Sequence, residues 1–187
     1  LIPMRDQTLE WLLSEKHLKN VPLIDGRWRR CALQEASIVY AMLKLGIVDD
    51  RITQIIESLL KWQWPDGGWN CDRIPTAANS SFHETWIPLR AMHAYAQISG
   101  DARAREAAEK ACDVFLSRCL FKRKRDGAVM SRDFVTIAYP NYWHYDVLAG
   151  LRTMAEVGRL SDPRCVDALD WLETKRLPGG GFAAEKK

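Results

Sequence analysis

Leu59-Leu60-Lys61-Trp62-Gln63-Trp64-Pro65-Asp66-Gly67-Gly68-Trp69 is the stretch whose reading decides the fold. It is the end of an apolar helix, then a turn built from a proline and two glycines, then a large aromatic residue two positions after the first glycine. The same order returns further on. Residues 171–182 begin Trp171-Leu172 and end Pro178-Gly179-Gly180-Gly181-Phe182, and residues 115–129 begin Phe115-Leu116 and reach Asp126-Gly127-Ala128-Val129. A weaker copy runs from Trp11-Leu12 to Asp25-Gly26-Arg27-Trp28. A marker recurring at a fixed long interval is the signature of a repeat architecture.

A second marker keeps step with the first. Gly46, Gly100 and Gly158 each follow an apolar helical pattern, where a left-handed residue suits the helix end. Each is soon followed by an acidic N-cap candidate, Asp49, Asp101 or Asp162, the last with Pro163 at the first helical position. The unit is helix, short turn, helix, glycine turn, with a period of about 55 residues. It predicts an all-α chain with helices near 6–18, 31–45, 50–62, 82–98, 102–119, 143–157 and 163–175.

The predicted helices are of two kinds. Ile52, Ile55, Ile56, Leu59 and Leu60 make a one-sided stripe with charges opposite, and Ala104, Ala107, Ala108, Ala111 and Phe115 make another. These are outer helices. Residues 31–45 and 82–98 are apolar or small on most faces, as expected of helices covered on both sides. Alternation of the two kinds predicts two concentric layers.

Composition narrows the function. The net charge is +3, from 27 basic and 24 acidic residues among 187, too balanced to imply a nucleic-acid partner. Five cysteines, an odd number without a Cys-x-x-Cys pair, argue against a disulfide framework and for a reducing, cytoplasmic setting. No apolar run reaches the roughly 18 residues of a membrane span, and the start lacks a signal-peptide pattern. Residues 1–187 read as one domain, a piece of a longer repeat array, because the pattern is already under way at Leu1-Ile2-Pro3 and stops just after a glycine turn.

Leu59, Gln63, Gly67 and Trp69 follow the Leu-x-x-x-Gln-x-x-x-Gly-x-Trp core of the QW repeat, so the chain resembles the squalene-cyclase and prenyltransferase superfamily. The stretch from Gly67 to Trp86 also resembles bacterial prenyltransferase-like proteins. The other copies are looser: Arg176 and Phe182 replace the glutamine and tryptophan of the last, and Leu120 stands at the glutamine position of the middle one. The resemblance implies an α/α toroid of inner and outer helices, incomplete in this chain, so that further repeats or a partner chain would close it. It implies an apolar, isoprenoid-like ligand in a central cavity. It does not bring the family's chemistry whole. The acid motif Asp-x-Asp-Asp is reduced to Ile47-Val48-Asp49-Asp50, which reads as a helix cap. The zinc pattern of protein prenyltransferases is not met by the adjacent Cys71-Asp72.

The polar residues gather where inner helices begin. Asn70-Cys71-Asp72-Arg73 precedes Ser80-Ser81-Phe82-His83-Glu84, and one unit later the chain reads Asn141-Tyr142-Trp143-His144-Tyr145-Asp146. His83 and His144 hold matching phases, each after an aromatic residue. Helix starts of this kind suit anions such as a diphosphate. The expected catalytic set is Asp72, His83 and His144, with Asp72 as the acid. Trp86, Trp143, Tyr145 and Asp146 are the expected ligand-binding set, aromatic faces being able to stabilise cations. Cys71, Asp72, His83 and His144 are a metal-ligand set of the kind zinc accepts. Each has a plainer reading: Ser81-x-x-Glu84 is a capping box, the histidines are hydrogen-bonded core residues, Trp69 staples its turn, and Lys122-Arg123-Lys124-Arg125 is a solvated loop. Three functions follow: an isoprenoid-handling enzyme or binder, a helical scaffold for a protein or peptide, and a metal-dependent transferase.

Overall fold

The computed structural model describes residues 2–47 and 49–186, so Val48 of the Ile47-Val48-Asp49-Asp50 stretch lies outside it. The chain divides into two units, Leu1–Lys110 and Ala111–Lys187. Both are helical, and the described strands form one two-stranded ribbon. Among the described residues no helix is long and apolar enough to cross a membrane.

The first unit opens with α1 (Ile2–Leu13) and α2 (Glu15–Leu18). The sequence predicts one helix here. Ser14 breaks it, because its hydroxyl accepts the His17 amide at 3.2 Å and starts a new turn. Strands β1 (Leu23–Ile24) and β2 (Arg27–Trp28) then pair around Asp25 and Gly26, both at positive φ, the two-residue hairpin that such residues favour. Next come α3 (Ala32–Lys44), α4 (Asp50–Trp62) and α5 (Phe82–Ser99). Helix α6 (Ala102–Leu116) runs across the boundary between units.

Burial follows the pattern with one exception. Helix α4 buries Ile52, Ile55, Ile56, Leu59 and Trp62 along one side. Helix α5 buries residues on most faces, from Phe82 to Ala96, and packs along α3. Helix α3 departs from expectation: it buries a single stripe, Ala32, Glu35, Ala36, Val39 and Met42, while Gln34, Ser37 and Ala41 are exposed.

The glycine turn after α4 is locked at every level. The Trp64 amide donates to Gly68 O at 2.7 Å and the Gly67 amide to Trp64 O at 2.9 Å. Gly67 has φ +97°, and a Cβ there would lie 2.5 Å from the carbonyl oxygen of Lys110, so glycine is required on two counts. Gln63 Nε2 donates to Gly67 O at 2.8 Å and to Ala107 O on α6 at 2.9 Å. Trp69 is 1% exposed, and its indole donates to Leu59 O at 2.9 Å. A half-buried amide and a buried indole have thus found their partners, as the repeat spacing leads one to expect.

The acidic caps carry a feature beyond capping. Asp49, Asp101 and Asp162 accept the amides of Arg51, Arg103 and Arg164 respectively. Each of these arginines also pairs with its own cap and reaches a carboxylate on an earlier helix: Arg51 to Asp6, Arg103 to Glu57 and Arg164 to Asp113. Asp-x-Arg is therefore a clasp that recurs with the repeat.

In the second unit, α6 ends at Leu116 rather than 119, because Cys119 and Leu120 turn the chain at positive φ. A 3-10 turn over Arg132–Val135 leads into an irregular stretch with a cis Tyr139–Pro140 bond. Helix α7 (Val147–Glu156) starts at Val147, not 143, since the Asp146 carboxylate caps it by accepting the Ala149 amide at 2.7 Å. A 3-10 turn over Pro163–Cys165 precedes α8 (Val166–Glu173). The core holds Phe115, Phe134, Tyr145 and Met154, with Tyr145 stacked on Phe115 and edge-on to Phe134. The last glycine turn repeats the first bond for bond: Leu177 N to Gly181 O and Gly180 N to Leu177 O, both 2.9 Å.

Candidate metal centre

Cys31 is the N-cap residue of α3, Cys71 follows the locked turn, and Glu84 lies in the first turn of α5. Because α3 packs along α5, and the turn ends against the start of α5 through the Ser81 amide on Trp69 O at 2.9 Å, these three places converge. The two sulfurs and a Glu84 oxygen lie within 4.8 Å of one another. The Cys71 thiol donates to Glu84 Oε1 at 3.5 Å, and Glu84 Oε2 accepts the Leu33 amide at 3.3 Å. All three side chains are half-buried, so the group is sheltered and still reachable from solvent.

The capping box read from Ser81-x-x-Glu84 does not form. Ser81 is the N-cap residue but its side chain makes no capping bond, and Glu84 turns instead to the start of α3. A residue that looked like local punctuation is a long-range contact.

A buried carboxylate lies beside the group. Glu35 is 1% exposed and follows Cys31 by four positions, hence on the same face of α3. Its Oε1 accepts from Arg30 Nε at 2.6 Å and contacts His17 Nε2 at 3.0 Å. Its Oε2 is buried with no hydrogen-bond partner. Burial pushes the pKa of Glu84 up, opposed by the Leu33 amide and the Cys71 thiol, and nearby Glu35 pushes it further up. Burial also raises Glu35, against the pull of Arg30. The two thiols influence each other: the neighbouring Cys71 draws the Cys31 thiol down, while Cys31, burial and Glu84 all push the Cys71 thiol up. His17 is lowered by burial and by Arg30. The centre thus concentrates acidic and thiol groups in a poorly hydrated place with few cations.

Two thiols and a carboxylate suit zinc. Bonds of about 2.3 Å to sulfur and about 2.0–2.2 Å to oxygen, tetrahedrally arranged, separate ligand atoms by roughly 3.5–4 Å. The observed Cys71 to Glu84 distance of 3.5 Å fits, and the 4.8 Å limit on the whole group is close to it. Three protein ligands leave a fourth position for water or substrate.

Of Cys71, Asp72, His83 and His144, only Cys71 belongs to the group of possible ligands that converges among the described residues. Asp72 is exposed and closes a local turn by accepting the Ile74 amide at 2.9 Å. His83 is half-buried next to Glu84, and Trp86 is buried on the same helix with Arg90 over its ring. His144, Trp143, Tyr145 and Asp146 belong to the second unit. There His144 is half-buried and stacks on Trp143, which is exposed. Tyr145 is 1% exposed and donates to Leu120 O at 2.8 Å; burial raises its phenol well above the usual range. Besides capping α7, Asp146 accepts from the Ala138 amide and from Asn141 Nδ2, each at 2.9 Å, an internal strut. Lys122 of the basic run pairs with Asp167, and Arg123 and Arg125 with Asp126.

The sequence reading does not bring Cys31 and Glu84 together with Cys71. The available signal is weak: a cysteine and a Ser-x-x-Glu at the starts of two helices, α3 and α5, that pack along one another. No protein-family model, curated protein or solved structure matches this chain.

Proposed function

We propose that this chain is a metal-dependent transferase of the prenyltransferase-like kind, with zinc held by Cys31, Cys71 and Glu84. The observation that carries this reading is the convergence of two thiols and a carboxylate from three separate segments. Helix capping explains neither Cys31 nor Glu84, since Cys31 makes no capping bond and Glu84 leaves its own helix start uncapped. Glu35 adds a buried carboxylate beside the half-buried Glu84, where a divalent cation would offset charge that Arg30 alone does not balance. Zinc bound by three protein groups would supply a Lewis acid with one open position. The protein's own residues hold and shelter that position: Leu33 N orients Glu84, and Arg30 with His17 orients Glu35.

The apolar reactant in this reading is the isoprenoid-like ligand that the QW-type repeat implies. The architecture that goes with it is an α/α toroid with α3 and α5 as inner helices and α4 and α6 as outer ones, closed by further repeats or a partner chain. Native mass spectrometry with zinc, and cobalt(II) absorption as a thiolate reporter, test the centre. One metal per chain is expected, with affinity reduced about 10-fold or more by Cys71→Ser or Glu84→Gln. Binding of no metal, or binding that survives both changes, would overturn it. A cobalt spectrum that added thiol or azide cannot perturb would show a closed centre and remove the transferase step.

A further inference from the structure

We propose that Cys31 and Cys71 are also an oxidation site, at which a hydroperoxide converts the thiol pair to a disulfide. This uses the same two sulfurs as the zinc reading but needs no metal. Both residues are free thiols and half-buried, so a small oxidant can reach them. Their sulfurs are within 4.8 Å, although the residues lie 40 positions apart in the chain. A disulfide needs about 2.05 Å, so one sulfur must move by under roughly 3 Å. The segment after Cys71 can supply that movement. Residues 72–76 are exposed and carry no regular structure, and the segment is tied down chiefly by Arg29, whose guanidinium donates to Asp72 O and Ala77 O at 3.0 Å each. Cys112 and Cys165 are buried, which makes them poorer targets.

The chemistry balances with the hydroperoxide as oxidant. One thiol sulfur takes the terminal oxygen as the O–O bond breaks; its proton passes to the departing oxygen, leaving a sulfenic acid and an alcohol, or water from hydrogen peroxide. The second sulfur then displaces the hydroxyl group, forming the S–S bond, and its proton leaves in a molecule of water. The two sulfurs are oxidised by two electrons in total and the peroxide is reduced. The product ties the start of α3 to the segment after the locked turn and leaves Glu84 without thiol partners. Oxidation and metal binding therefore exclude one another, and a thiol reductant restores the centre.

The test uses the whole chain, stripped of metal with a chelator and treated with hydrogen peroxide. Free thiols counted after denaturation should fall from five to three. Peptide mapping should find one cross-link joining Cys31 to Cys71 in monomeric protein, and dithiothreitol should remove it. The cross-link should persist in Cys119→Ser. Preloading with zinc should slow it about 10-fold or more, because ligated sulfur is withheld. A full thiol count after treatment, or separate oxidation of the two cysteines to sulfinic acids, would overturn the proposal. The two readings fail separately: a chain that cross-links but binds no zinc loses only the metal centre, and a chain that binds zinc through both cysteines but never cross-links loses only the oxidation site.

Discussion

The glycine turn after α4 and the one after α8 share a hydrogen-bond pattern and differ in the fates of their side chains. Both close with the same pair of hydrogen bonds, Trp64 and Gly67 in one, Leu177 and Gly180 in the other. In the first, Gln63 bonds two carbonyls and Trp69 is sealed in the core. In the second, Arg176 stands where the glutamine was, pairs with Glu173 on the surface and lies over the ring of Phe182. Glycine and proline content is enough to shape a turn. Anchoring it to the helices around it takes a half-buried amide and a buried indole, with carbonyls placed to receive them.

The largest test of that difference is the aromatic residue. Trp69→Ala should cost about 3–5 kcal/mol in denaturant unfolding as a large core deletion, and Phe182→Ala about 1 kcal/mol or less. Equal losses would break the comparison. Glycine comes next. Gly67→Ala combines a left-handed backbone with a clash against Lys110 O, and should cost about 2–5 kcal/mol. Gly180→Ala meets open space at φ +88°, leaving only the backbone cost of about 1–2 kcal/mol. The third pair is Gln63→Ala, about 1–2 kcal/mol for the loss of two part-buried hydrogen bonds to Gly67 O and Ala107 O, against Arg176→Ala, which should leave the unfolding midpoint unchanged.

The smallest effect concerns the clasps, where the two units should behave alike. Asp49 in the first and Asp162 in the second are each lowered from 3.8 to about 2, chiefly by hydrogen bonds from Arg51 and Arg164. A depressed carboxylate stabilises the fold above its unfolded pKa and loses that contribution as pH falls through the folded value. Thermal midpoints by circular dichroism should therefore decline from pH 3.8 toward 2. Asp49→Asn and Asp162→Asn should each flatten that decline by a similar, small amount, as exposed ion pairs do. A large effect of only one would mean that the clasps are not equivalent.

Legibility in the sequence followed the range of each interaction. The caps Asp49 and Asp162 were visible because a cap acts within one turn. Their partners Arg51 and Arg164 stand two residues on, but the carboxylates they reach, Asp6 and Asp113, are 45 and 51 positions distant and carry no local mark. Glu84 was misread for the same reason. Its spacing from Ser81 satisfies a local rule, and the competing partners, Leu33 N and the Cys71 thiol, come from other segments. His83 and His144 were grouped by repeat phase. Phase places residues at like ends of like helices and does not say which way a side chain turns.

The sequence by itself determined the helical character, the positions of most helices to within a few residues, and the glycine turns with their amide and indole lock. Each of these depends on interactions within a turn or on a periodic apolar face, and such information is written in neighbouring residues. Only the tertiary structure decided that Cys31, Cys71 and Glu84 share one place, that Asp146 braces Ala138 and Asn141 as well as capping α7, and that Asp72 closes a turn in its own loop. Those outcomes depend on how α3 meets α5 and where the chain leaves a turn, which packing of many residues sets at once and no short pattern encodes.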